Sequence, residues 1–501
     1  MFQRVAKESR NTIAKSNGGS SSQVNDSNDL SLPHLIAAVI TAVIGGGVFT
    51  MAGDMAAAGA NTGAVLIGWV VCGIGVFSLM MCFYALSKYK SEMVGGIYSY
   101  ARAGSGEFMG FISAYGYWIS ALLATVSYTT LLFASISYFV PLFGEGNNLP
   151  SVIGASIVVW ICWLLVSRGV KEAASVNIIT TIAKLVPLFV AIVAILFSMH
   201  FDPEIFMDNF WGEPDGPSLW DQVVGTVGVS IWIFLGIEGA VAISGRAKYS
   251  KDVGRATVTA FIGILCIYLL VSILSMGVMP RAELAELPNP SMAGVLEAVV
   301  GPWGAALVNL GVALSLLGAM LGYTIISSEC PHEAAKQGVF PKVFAKENRK
   351  GAPIVTLTVT CLIVQAFLII ILFSEQTYQF FYGVSVSMIL IPYFFSSMFL
   401  LVCAFKKDGF EGVTGGKLAF YRGIGIVGFF YSIFLIYAGG LTGLMITTIL
   451  FAPGIVLYWY GQKERNEAFL PKTLDKVVAA AIVAFFVISI VCIATGTISV
   501  I

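Results

Sequence analysis

Charge is what this sequence has least of. Asp, Glu, Lys and Arg make up 11% of its 501 residues, against about a quarter in an ordinary soluble protein. So few charges cannot cover the water-exposed surface of a chain this long, which excludes soluble globular, disordered and nucleic-acid-binding proteins. The three histidines, His34, His200 and His332, are scattered, with no HExxH and no His/Cys cluster, so neither metal nor cofactor is expected. The eight cysteines include no CxxC pair and fall in or beside apolar runs, where they read as small buried hydrophobes. A P-loop is missing, which excludes ATP-driven pumping by this chain. So is any nucleophile–base set that would point to an enzyme. Residues 1–30 hold no apolar core with a small-residue cleavage site, so no signal peptide is expected to be removed; they read as a disordered cytoplasmic tail.

What the sequence has instead is apolar length. Hydrophobic residues make up 57% of it, and the mean hydropathy is +0.86. At about 20 residues per membrane helix, there is room for a dozen or so spans. Apolar runs separated by short polar breaks predict thirteen, near 32–52, 63–87, 108–140, 151–167, 175–199, 223–245, 256–279, 297–328, 353–373, 378–405, 421–438, 441–460 and 477–499. The 53 glycines fit helices that pack closely in lipid.

The net charge is zero, but its distribution is lopsided. On this span count, 26 of the 28 Lys and Arg residues fall before span 1 or in alternate loops on the same side of the membrane. The opposite loops hold Arg281 alone, and the 200–222 loop carries Asp202, Glu204, Asp208, Glu213, Asp215 and Asp221. The excess of cations marks the cytoplasmic side, which puts the N-terminus inside and, with an odd number of spans, the C-terminus outside. The remaining cation, Lys184, lies within span 5.

An ionisable group inside a span is costly and marks a functional candidate. Lys184 and Glu238 are two such groups. Lys184 could instead snorkel to the inner interface, and Glu238 could serve as a structural hydrogen-bond acceptor. Glycine interruptions add a second signal. Span 1 contains Gly45, Gly46 and Gly47 in a row, and span 6 carries Gly236 and Gly239 around Glu238. Three helical glycines cost roughly 1 kcal/mol each relative to alanine. Spans 1 and 6 occupy equivalent positions in two five-span units, and paired broken helices at such positions point to a transporter built from inverted repeats. Taken alone, the glycines could also serve close packing. An ion channel fits less well, because neither a filter-like loop nor an acidic ring is present.

Several motifs carry a family resemblance: IGGGVF (44–49), YWIS (117–120), AKLVPL (183–188), FLGIEG (234–239), SGRAKYSKDVGRAT (244–257) and GVFPKVFAKENRKGAPI (338–354). Through them the chain, over residues 31–460 at least, resembles the amino acid–polyamine–organocation superfamily. Within it the chain is most similar to the basic amino acid/polyamine antiporters of the arginine/ornithine branch. The resemblance implies an all-α membrane protein with the LeuT-like 5+5 inverted repeat. A transporter core over 31–405 would be followed by additional helices over 406–501, in a bacterial inner membrane. It implies exchange of an external cationic amino acid for an internal product, arginine for ornithine favoured. Histidine/histamine, tyrosine/tyramine and ornithine/putrescine exchange, or proton-coupled uptake, are the alternatives. Partners would be amino acid or amine substrates and lipid, with a homodimer allowed and no nucleic acid.

The family's site residues carry over position by position. The resemblance implies that the substrate carboxylate meets amides at Gly45, Gly46 and Gly47. Relatives often have Ser where this chain has Gly46, so one hydroxyl contact is lost. The ammonium would meet carbonyls of Val43, Trp232 and Leu235. Trp232 would cover the substrate, Tyr323 would face its cationic end where relatives have Trp, and Ser385 would contact the side-chain end. Thr125 replaces an Asn common in relatives, with Ala121 one turn earlier on the same face. Tyr117, Glu238 and Tyr393 match residues expected to close the pocket from the outside. Lys184 matches a lysine whose ammonium takes the place of the sodium ion of sodium-coupled cousins. The chain has 35 Phe, 19 Tyr and 9 Trp, and most such rings line lipid or pack between helices.

Overall fold

A computed structural model of the chain describes residues 31–91, 93, 96–169, 174–238, 250–373 and 378–495. The expected 1–30 tail with its four cations, Lys171, Gly239, Arg246, Lys248, the 244–249 part of one motif and the end of span 13 lie outside the described residues.

Every described element is helical. Eleven helices are long and apolar enough to cross a membrane. They are α3 (Thr62–Tyr89), α5 (Glu107–Ser137), α6 (Leu149–Ser167), α7 (Ala174–Phe197), α10 (Ser250–Met276), α13 (Pro302–Lys336), α14 (Ile354–Ile371), α15 (Tyr378–Lys406), α16 (Gly415–Ala438), α17 (Gly440–Arg465) and α18 (Thr473–Ala494). Two further spans are interrupted. Span 1 is α1 (Leu32–Val43), a 3-10 turn at Gly47–Phe49 and α2 (Met51–Ala57). Span 6 begins as α9 (Leu219–Ile233) and opens into a turn over 234–238. With span 1 and the described first half of span 6, these eleven match the thirteen apolar runs expected.

The breaks follow from local chemistry. Ile44 caps α1 in an extended conformation, with ψ of 102°, and the three glycines that follow offer the helix no side-chain packing to continue it. At the other break Gly236 has φ of +100°, a region that side chains avoid. A Cβ there would lie 2.6 Å from the Ala42 carbonyl oxygen, so the two breaks touch backbone to backbone.

Burial ranks the helices. In α5, 89% of the most apolar window is buried, against 11% in α18. The former is the central pillar and the latter presents its apolar surface to lipid. Apolar helices reach solvent-facing exposure only where a membrane covers them: Phe189, Phe197, Leu362, Phe430 and Val456 are all exposed.

Short elements cap the ends. Between spans 2 and 3 lies α4 (Ile97–Ser105), and at the opposite end lie α8 (Pro203–Met207), α11 (Arg281–Glu286) and α12 (Ser291–Val300). Span 8 was expected from residue 297. The structure instead splits that apolar run at Gly301, whose φ is +86°. Pro302 then starts α13 at the position where its missing N–H costs nothing. The 338–354 motif is a structural clasp. Asn348 accepts hydrogen bonds from the amides of Lys350 and Ala352 and donates one to the Ser167 carbonyl at the end of α6.

Candidate functional site

The two breaks meet beside α5, where α1 ends, α2 begins and α9 ends. The carboxyl end of α1 carries carbonyls that no helical turn satisfies. Lys184 on α7 answers them: its Nζ donates to the Thr41 carbonyl at 3.0 Å and the Ile44 carbonyl at 2.8 Å. The lysine is buried, and Thr181 one turn earlier shares a hydroxyl hydrogen bond with Thr41 at 2.9 Å. Its ammonium is therefore placed on span 1 and not at the interface, as snorkelling would have it. The end of α9 is answered by a residue that sequence reasoning missed. Tyr268 on α10 is fully buried and donates to the Ile233 carbonyl at 2.9 Å, with the Val43 carbonyl 3.4 Å away. A tyrosine in an apolar span gave no signal of this role, since its pattern is that of any packed aromatic residue.

The amides at the span 1 break are differently placed. Those of Gly45, Gly46 and Gly47 find no acceptor among the described residues, while the Gly46 and Gly47 carbonyls accept from Phe49 and Thr50 within the turn. Such amides at the head of a broken half-helix attract a carboxylate. Of the three carbonyls expected to face an ammonium, Trp232's accepts from the Leu235 amide, and Val43's lies within reach of Tyr268. Leu235's finds no donor among the described residues.

Around this centre the expected residues form layers along α5 and α15. On α5, Ala121 and Thr125 are buried one turn apart, and the Thr125 hydroxyl bonds back to the Ala121 carbonyl at 3.1 Å. Ser385 on α15 donates to the Ser120 carbonyl at 2.8 Å, with the two serine hydroxyls 3.1 Å apart. Tyr323 on α13 meets the ring of Tyr128 edge to face at 5.1 Å. Trp232 stacks on Tyr382 at 5.3 Å and tilts against Tyr128 at 5.5 Å. Its Nε1 donates to the Tyr378 hydroxyl at 2.6 Å.

Glu238 accepts from two tyrosines, Tyr393 at 2.5 Å and Tyr117 at 3.4 Å. The structure brings these three together, but not where they were expected. Tyr117 lies ten residues from the start of α5, the end that adjoins the basic loop. Tyr393 lies fifteen residues beyond Tyr378, which sits at the opposite end of the membrane. At about 1.5 Å per residue, the trio stands on the basic-loop side of Trp232. If the basic loops face the cytoplasm, this is the side opposite to the outer closure expected of them, since α5 and span 6 run in opposite directions through the membrane. Tyr378, Tyr382, Trp232 and Tyr128 form the layer on the other side.

Two touching helix breaks at mid-membrane, with a fixed cation on one and an aromatic layer on either side, define a secondary transporter. The chain belongs to the amino acid permease family, whose model matches residues 30–442. It is 42% identical over 467 residues to the arginine/ornithine antiporter of Pseudomonas aeruginosa, covering 91% of this chain and 95% of that one. It is 38% identical over 454 residues to the arginine/agmatine antiporter of Chlamydia pneumoniae, covering 89% and 93%. The arginine/agmatine antiporter of Chlamydia abortus is likewise 38% identical, over 91% of this chain and 95% of that one. It is a multi-pass membrane protein that carries amino acids, and not an enzyme.

Proposed function

We propose that the chain exchanges an external cationic amino acid for an internal product, with arginine for ornithine as the leading pair. The observation that carries the reading is the set of amides at Gly45, Gly46 and Gly47 that have no acceptor among the described residues. They suit an α-carboxylate, and the Leu235 carbonyl, without a donor among the described residues and with Val43 beside it, suits the α-ammonium. Trp232 covers the bound amino acid on the acidic-loop side, and Tyr117, Glu238 and Tyr393 close it on the basic-loop side. Tyr323 offers its ring face to the cationic end, and Ala121, Thr125 and Ser385 line the passage for the side chain. Lys184 supplies the charge that a sodium ion would otherwise bring to span 1.

On this reading the basic loops and the N-terminus are cytoplasmic, the C-terminus is external, and the membrane is a bacterial inner membrane. Spans 1–10, residues 31–405, form the transport core, and the helices after 405 pack around it. Liposomes loaded with ornithine and offered labelled arginine test the exchange. Uptake should require internal ornithine, and a conducting channel would not. Arginine and ornithine carry the same charge at neutral pH, so an imposed membrane potential should leave their exchange unchanged. A strong response to potential, with internal agmatine as the better counter-substrate, would replace ornithine with agmatine.

A further inference from the structure

Asp54 is a buried acid that the site as described does not use. It sits on α2, the second half of broken span 1, at 5% exposure and with no ion pair among the described residues. An isolated carboxylate in such surroundings is expensive and needs hydrogen-bond donors. Its donors come from two spans. The Thr50 hydroxyl donates to Oδ2 at 2.7 Å, and Gln379 on α15 donates to Oδ1 at 3.1 Å.

The direction of the hydrogen bonds extends this cluster to the site. An indole N–H can only donate, so Trp232 donates to Tyr378. Thr50 has a single hydroxyl hydrogen, nearest to Asp54 at 2.7 Å, with the Gly47 carbonyl at 3.2 Å and the Tyr378 hydroxyl at 3.5 Å also in its reach. Thr50 therefore stands between the carboxylate and Tyr378 and faces both as the donor. Tyr378 is thus held from two sides, by Trp232 and by Thr50, and Thr50 in turn is held by the carboxylate, which can only accept while ionised. The chain crosses three elements: span 6 through Trp232, span 10 through Tyr378 and Gln379, and span 1 through Thr50 and Asp54. All lie on the acidic-loop side of the substrate amides. Ser291 of α12 holds the same stretch of span 1 from behind, donating to the Thr50 carbonyl at 3.1 Å and accepting from the Gly53 amide at 3.2 Å.

We propose that Asp54 anchors an outer latch, holding Trp232 over the site and locking the outer half of span 1 to span 10 through Tyr378. This rests on the reading of Trp232 as the cover of the substrate. Opening toward the outside separates these three spans, so each opening breaks this chain, and weakening it enlarges the outward-open population. An enlarged competent population lowers the apparent KM on that face and raises it on the other.

The test measures apparent KM for labelled arginine in right-side-out and inside-out membrane vesicles. Asp54→Ala and Tyr378→Phe should each lower the outer-face KM by about two- to tenfold and raise the inner-face KM. The double variant should match the single ones, because both cut one chain. Asp54→Asn, which keeps the volume and one acceptor, guards against misfolding and should shift both values in the same directions by less. Equal shifts of one sign on both faces, no shift in any variant, or additive effects in the double variant would overturn the latch. Trp232→Ala separates the two readings: lost affinity from both faces supports Trp232 as the cover, and unchanged affinity removes it from the site whatever Asp54 does.

Discussion

Replacing Lys184 with methionine should cut exchange strongly while leaving membrane insertion near normal. The side chains match in length, so the change removes a charge and little volume. In the native protein the ammonium satisfies the Thr41 and Ile44 carbonyls at 3.0 and 2.8 Å. Both acceptors lie at the end of α1, where no amide of a next turn can take over. Each buried carbonyl left without a donor costs about 1–3 kcal/mol, so the two together cost about 2–6 kcal/mol before relaxation. Part of that is regained, because methionine needs no desolvation of a charge. The loss falls on one joint, between span 1 and span 5, and not on the helix bundle as a whole. It therefore shifts the balance between open states more than it unfolds the protein. The assay is arginine/ornithine exchange in liposomes, for wild type and variant, with sodium replaced by choline throughout. Wild-type exchange should be indifferent to sodium, since its cation is covalently present. Full activity in Lys184→Met, or sodium-driven uptake by the wild type, would refute the argument.

Three further outcomes are expected. Tyr323→Ala should weaken arginine binding by about 0.5–2 kcal/mol, with Tyr323→Trp close to wild type in a competition assay; equal binding by all three removes the ring from the site. Gly47→Ala should abolish exchange without preventing insertion, because a Cβ there would lie 2.6 Å from the Trp232 ring; Gly46→Val should also block it, but by pressing on Leu316 and Leu131, which a Cβ at Gly46 meets at 2.9 and 3.0 Å. Third, hydrogen bonds from Lys336 and then His332 hold the Glu347 carboxyl below the usual range. Its contribution to stability is present above the ordinary glutamate pKa of about 4.3 and is lost as pH falls through the depressed value. The melting-temperature gap between wild type and Glu347→Gln should thus be constant near neutrality and close in acid, and a gap independent of pH would exclude the ion pair as its source.

Much of the fold was legible because membrane helices announce themselves by length and hydropathy, and because Gly45–Gly47 and Gly236 interrupt runs that would otherwise be uniform. The start of span 8 was not legible. Hydropathy is blind to the Gly301–Pro302 corner, which turns one apolar run into α12 and α13. Within the site, Lys184 and Glu238 stood out by charge alone. Tyr268, Tyr378 and Thr50 did not, since tyrosine and threonine are common in spans and their meaning lies in which carbonyl or hydroxyl they reach. Asp54 was overlooked because it fell near the end of a predicted span, where an acid reads as an interfacial residue. Its burial depends on α11 and α12 folding over that end, a tertiary event that no local pattern encodes. The side on which Tyr117, Glu238 and Tyr393 lie required the helix directions as well as the residues.

The hydrogen bonds at the two breaks supply a physical reason for exchange in place of one-way transport. Lys184 and Tyr268 permanently satisfy the carbonyls at the ends of α1 and α9. Among the described residues, what they leave open are the amides at Gly45–Gly47 and the Leu235 carbonyl, the groups proposed to take an amino acid's carboxylate and ammonium. In an open state water can serve these groups. Passing through the closed state without substrate would bury them unpaired, at about 1–3 kcal/mol each. Even two such groups would slow the return of the empty carrier by a factor of about 30 or more, at 1.4 kcal/mol per tenfold. On the proposed reading, any α-amino acid that fills them removes the penalty in either direction, and the carrier turns over only when loaded on both passages. An agent that supplies the missing partners without filling the side-chain passage, such as glycine at high internal concentration, should then return the carrier in place of ornithine and uncouple arginine uptake from internal ornithine. Failure of glycine to do so while it still competes for binding would place the barrier to the empty carrier elsewhere, in the aromatic layers and not in the backbone.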